Sequence, residues 1–96
     1  MSSEVQIDNP EVRATRWTLA QGEETGQHRH EYDYVVVPLA VARMQVHHAD
    51  GTKTTSELAT GESYYKPAGA EHNVRNEDAE VLDFVEVEIV RPRPQA

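Results

Sequence analysis

Five histidines and no cysteine set the chemical repertoire of this chain. Without cysteine there are no disulfides, no thiolate metal sites and no Cys nucleophile, so a metal must take N and O ligands. His28 and His30 are separated only by Arg29, inside a stretch that runs from a Gly-rich turn at 22–26 into the apolar run Val35-Val36-Val37. On a regular strand, residues i and i+2 share a face, ~6.6–7 Å apart along the chain. Two imidazoles on one face can chelate a metal. His47 and His48 are consecutive and face opposite ways on a strand, so they cannot chelate together; standing before an exposed hairpin, they read as surface residues. His72 stands beside another Gly-containing turn. No Gly-x-Ser-x-Gly elbow and no Gly-x4-Gly-Lys-Ser/Thr loop occurs, which removes the signatures of a hydrolase nucleophile and of a phosphate cradle.

The elements that must position these residues read as strands throughout. Residues 12–20, 28–37, 42–48, 53–58, 63–66, 71–75 and 80–90 are rich in Val, Thr and Tyr and show period-2 patterning. Turn residues separate them; Asp50-Gly51 predicts a two-residue hairpin. No segment has a period of 3.6. Short strands with turns every ~8–12 residues indicate an all-β barrel or sandwich. In the last strand, Val81, Val85, Val87 and Ile89 share one face, and Leu82, Phe84 and Val90 the other. Apolar residues on both faces require cover on both, by the core and by a partner subunit. Residues 1–10 form an N-terminal arm, either an edge strand or a frayed end; 11–90 form the domain. Arg91-Pro92-Arg93-Pro94 opens a tail, 91–96, that cannot continue a ladder.

Ninety-six residues make one domain with a small core, which a homodimer would supplement. The net charge of −8, from 17 acidic and 9 basic residues, argues against nucleic acid and against an anionic membrane surface. No apolar run approaches the ~20 residues of a membrane span. The first residues lack the basic and apolar regions of a signal peptide, so the expected location is cytoplasmic.

Two spaced motifs then stand out. Gly22, five residues, His28-Arg29-His30 resembles the first half of the first cupin motif. Gly61, Pro67, Gly69, His72 and Asn76 reproduce the second cupin motif without a gap. The chain is most similar to short single-domain cupins associated with β-alanine degradation. The resemblance implies a cupin-type β-barrel or jelly roll, with an open two-sheet sandwich as the alternative architecture. It also implies a metal held by His28, His30 and His72. The first motif usually carries a Glu ligand four residues after its second His; here that position is Tyr34. If 28–37 is one regular strand, Tyr34 points where that ligand would be, and Glu31 and Asp33 point away.

Three arrangements follow: three neutral imidazoles plus water, a phenolate ligand from Tyr34, or Tyr34 as a hydrogen-bond donor beside the metal. The first combined with the third is preferred, because a neutral phenol is a poor ligand. Imidazoles suit Zn, Fe, Ni or Cu and do not choose among them; Mg and Ca are disfavoured without a carboxylate. Tyr32 shares the inward parity and can contact a ligand or simply fill the core. Arg75 is a candidate for a substrate carboxylate, though a solvated Arg is the plainer reading, and Asn76 reads as a turn former. The expected function is a metal-dependent dioxygenase- or isomerase-type enzyme acting on a small organic acid or keto compound, with Tyr34 or Tyr32 as acid or donor. A non-catalytic small-molecule binder or sensor, accessory to a catabolic pathway, is the alternative.

Overall fold

The structure is a computed structural model that describes residues 2–91. Among these residues are nine strands: β1 (Ser2–Asp8), β2 (Val12–Leu19), β3 (His28–Arg29), β4 (Tyr34–Pro38), β5 (Ala42–His48), β6 (Lys53–Leu58), β7 (Tyr64–Lys66), β8 (Glu71–Arg75) and β9 (Leu82–Ile89). They form two antiparallel sheets, ordered β1-β2-β9-β4-β7 and β3-β8-β5-β6. Alternation builds the core between them. Leu82 and Phe84 of β9, Leu19 of β2, and Tyr34 and Val36 of β4 are buried from one sheet. They meet Ala42, Met44 and Val46 of β5, Leu58 of β6 and Val74 of β8 from the other. Trp17 and Tyr64 pack against this cluster, while Tyr65 points out.

The N-terminal arm is an edge strand. β1 pairs with β2, with a register shift between Val5 and Ile7, and all seven of its residues are exposed. Such an irregularity is a usual device for blunting a free edge. Of the tail, residues 92–96 lie outside the described residues.

Two sequence expectations need correction. The hairpin after β5 has three loop residues, not two. His48 N–H donates to the Thr52 carbonyl and Gly51 N–H to the His48 carbonyl, with Gly51 at φ 89°. A turn closed by a left-handed Gly is the usual three-residue solution. More important for the site, residues 28–37 are not one strand. β3 belongs to the four-stranded sheet and β4 to the five-stranded one, and the chain crosses between them at residues 30–33. Other contacts replace the ladder at the crossing. His30 N–H donates to the Ala70 carbonyl at 2.9 Å, and Gly69 N–H to the His30 carbonyl at 2.8 Å. The Asp33 carboxylate accepts the Ala68 N–H at 2.8 Å. Tertiary hydrogen bonds from the 67–70 turn thus override the strand preference of the run.

The segment before β3 is also more ordered than a plain loop. Its backbone runs beside β8, with Gly22 N–H on the Asn76 carbonyl, Asn76 N–H on the Glu23 carbonyl and Thr25 N–H on the Val74 carbonyl. Asn76 is fully buried. Its Nδ2 donates to the carbonyls of Leu19 and Glu80, and its Oδ1 accepts the Asp78 N–H. The turn former of the sequence is therefore a clamp joining β2, the 22–27 segment and the β8–β9 turn.

Candidate metal centre

His28 and His72 are direct partners across the β3–β8 ladder, so their side chains leave the sheet on the same face. His30, at the start of the crossing, closes the third side. The Nε2 atoms of His28 and His30 lie 3.1 Å apart and those of His30 and His72 2.9 Å apart. The three rings meet edge to face, with centroids 4.7 to 4.8 Å apart.

These residues fit a divalent transition metal. In the tautomer that leaves all three Nε2 atoms unprotonated, their lone pairs repel unless a cation lies between them. Metal–imidazole bonds of ~2.0–2.1 Å at about a right angle put neighbouring nitrogens roughly 3 Å apart, as the two separations above require. A backbone contact sets the tautomer of His28: its Nδ1–H donates to the Gly26 carbonyl at 2.8 Å, which leaves Nε2 as acceptor. That carbonyl is aimed by Gly26 at φ 91°, a left-handed conformation that glycine adopts without strain. Burial, reinforced by repulsion from His28, holds His30 down at about 4. Burial and repulsion from the other imidazoles likewise hold His72 at about 4. Both rings are therefore neutral at pH 7, the form that binds a metal.

Tyr34 is buried and stacks on His30, with centroids 3.9 Å apart and an interplanar angle of 20°. Burial, then the neighbouring Glu86 and Tyr64, pushes its phenol well above the ordinary value. It stands beside the triad as a neutral phenol. Tyr32 is elsewhere. With the crossing irregular, the parity that would unite the two tyrosines is broken; Tyr32 lines a cavity of about 280 Å³ with Trp17, His28, His30 and Glu86, whereas Tyr34 lines a separate one of about 140 Å³ with His72.

The sequence reading missed two residues. Glu86 Oε1 lies 3.7 Å from His30 Nδ1, on the side of the ring opposite the nitrogen that faces the other two histidines. Burial, then repulsion from Glu88, raises its carboxyl to about 7, against the pull of Arg13. The signal was available: Glu86 shares the inward parity of Leu82 and Phe84. His48 is the second. It is the ladder partner of His72, so His28, His72 and His48 form one row across the sheet face, and His48 lines the smaller cavity rather than pointing only to solvent. His47 does face the other way, 3.5 Å from Glu77. Arg75 is exposed beside Glu24 and lines neither cavity.

A family model for the cupin domain matches residues 15–88, which include both motifs and all three histidines. The chain belongs to the cupin family. It is 47% identical over 85 residues to the beta-alanine degradation protein BauB of Pseudomonas aeruginosa, covering 88% of each chain. Among solved structures, a cupin domain from Bordetella pertussis Tohama I matches with a TM-score of 0.86 at 45% identity, over 92% of this chain and 91% of that one. TT1209 from Thermus thermophilus matches with a TM-score of 0.72 at 28% identity, over 96% and 85%. An RmlC-like cupin from Methanocaldococcus jannaschii, at 17% identity and a TM-score of 0.77 over 92% and 78%, shares the double-stranded β-helix fold. These matches agree with the jelly roll described above. No helix among the described residues is long and apolar enough to cross a membrane.

Proposed function

We propose that this cupin is a metal-dependent enzyme of a catabolic route, acting on a small organic acid or keto compound. The observation that carries this reading is the convergence of three Nε2 atoms, two of them on imidazoles held neutral, with His28 and His30 lining one cavity and His72 another. A bound Zn, Fe, Ni or Cu ion would supply Lewis acidity, or redox chemistry where the metal allows it. His28, His30 and His72 hold the metal. Tyr34, kept protonated by its burial, is the hydrogen-bond donor next to the triad. Tyr32 lies beside His28 and His30 at the larger cavity, as a second donor to whatever occupies it. Likeness to a protein named for β-alanine degradation supports a small acid as substrate. The alternative, a non-catalytic binder in such a pathway, uses the same site without turnover.

The reading includes a homodimer. The face of the five-stranded sheet turned away from the core carries Val12, Ala14, Val35, Val37, Val85, Val87 and Ile89 in adjoining registers, flanked by Ile7 and Tyr65. At ordinary strand spacing this face spans roughly 500 Å² in projection, comparable with the ~800 Å² of accessible surface each partner of a stable dimer gives up. A second copy is the favoured occupant because the chain carries −8 overall, yet the facing charges Arg16 and Asp83 neutralise each other at 2.7 Å.

Elemental analysis after metal-replete expression tests the reading. About one transition-metal ion per chain is expected for the wild type. His72→Ala should lose most of it, and Tyr34→Phe should keep it. Negligible metal in the wild type overturns the proposal, and loss of metal from Tyr34→Phe makes Tyr34 a ligand.

A further inference from the structure

The smaller cavity has a lining unlike the rest of the molecule. Its volume is about 140 Å³, room for four or five waters at ~30 Å³ each. Its inner wall is Tyr34, Met44, Val46 and His72, and its mouth carries Thr54, Ser56, Tyr64 and Lys66. No Asp or Glu lines it, although 17 of 96 residues are acidic. The larger cavity differs: Glu31, Glu86 and Glu88 line it together with Arg13 and Arg29, and Arg13 is taken by Glu88 through two hydrogen bonds of 3.0 Å.

Among the described residues Lys66 and Arg29 have no carboxylate partner, whereas Arg13, Arg16, Arg43, Lys53, Arg75 and Arg91 each have one; of the two, only Lys66 lines the smaller cavity. Lys66 is the ladder partner of Tyr34, and its Nζ lies 6.0 Å from the centre of the Tyr64 ring at the cavity mouth. Opposite it, β6 presents Thr54 and Ser56, registered against the buried Val46 and Met44. The Thr54 hydroxyl is 2.9 Å from His48 Nε2. One cation and two hydroxyls thus stand at the mouth of an apolar pocket whose far end is a metal-facing histidine.

We propose that this cavity seats a small monocarboxylate, its carboxylate held at the mouth by the Lys66 ammonium and the Thr54 and Ser56 hydroxyls, its carbon chain over Met44 and Val46, and its far end at His72. This assignment rests on the metal-centre reading for the role of the far end, but the anchor itself does not need the metal. It also gives the two cavities different duties: the one with a cation and no carboxylate takes the anion, whereas in the other three carboxylates outnumber two guanidiniums.

The test is titration of the metal-free protein with propanoate, followed through backbone amide NMR shifts, with propanamide as the neutral isostere. Propanoate should perturb Thr54, Ser56 and Lys66, and propanamide should bind far more weakly. Lys66→Gln should weaken propanoate about tenfold or more, the size expected for one charge-assisted contact. Arg29→Gln, altering the cation at the other cavity, should change it less than twofold. Equal binding of acid and amide, an unchanged Lys66→Gln protein, sensitivity to Arg29 instead, or no wild-type binding of propanoate would each overturn the proposal. Zinc uptake by the same samples is measured separately, so failure of the anion subsite and failure of the metal centre are told apart. Lys66→Gln should take up zinc like the wild type.

Discussion

Glu86 illustrates how a single carboxylate takes its meaning from what it faces. On β9 its neighbours in inward parity are Phe84 and Glu88, and in the fold its Oε1 comes within 3.7 Å of His30 Nδ1. A carboxylate there favours a proton on Nδ1 and so leaves Nε2 free for a metal. Glu86→Gln keeps the size of the side chain and removes the charge. It should weaken zinc affinity by about 10–100-fold, the usual cost of losing such a partner, with little change in thermal stability. Competition titration with a chromophoric chelator reads this directly, and an unchanged affinity would mean that Glu86 does not orient His30. Tyr34 plays a different part: it stacks on the same ring, so its hydroxyl is expected to be expendable for metal uptake while its ring is not.

At the scale of elements, the site depends on a strand that breaks. A continuous strand over 28–37 would leave His30 and Tyr34 in one sheet. Crossing between sheets instead lets His30 turn back toward the β3–β8 pair while Tyr34 enters β4. The 67–70 turn of the second motif makes the crossing possible by binding the His30 backbone, so the two motifs are mechanically one unit. The outward face of β9 sets the other element-level expectation. Val87 lies between Ala14 of β2 and Val35 of β4 at the middle of the apolar sheet face. Val87→Lys would bring two like charges together across a two-fold contact. The expected outcome is a monomer by sedimentation equilibrium where the wild type is a dimer, with the metal content of each protomer retained. A monomeric wild type ends the dimer reading.

For the whole molecule, the buried titratable groups make the metal-free protein sensitive to acid. His30 and His72 sit at about 4 when folded and near 6.5 when unfolded, so between those values the unfolded chain binds more protons and folding stability falls as pH drops. Glu86 has the opposite sign: raised to about 7 from about 4.5, it costs stability as pH rises through that window. Two groups oppose one, so from pH 6.5 to 4.5 the net slope is about one proton, or ~1.4 kcal/mol per pH unit, with stability lost on acidification. Denaturant unfolding in excess chelator across that range measures it. A flat or inverted profile would show that the imidazoles are not buried in their neutral form. Much of this architecture was legible in the chain itself. Strand positions followed from alternation, and the family and the triad His28, His30 and His72 followed from two motifs with fixed spacing. Spacing is local, and a histidine cluster anchored by turns is encoded locally. What only the tertiary structure decided is whatever depends on which strand lies across from which. The crossing at 30–33, the separation of Tyr32 from Tyr34, the row that brings His48 beside His72, and the approach of Glu86 to His30 all arise from hydrogen bonds and registers between residues far apart in sequence. Periodicity assigns a side chain to a face; only pairing tells what stands opposite it.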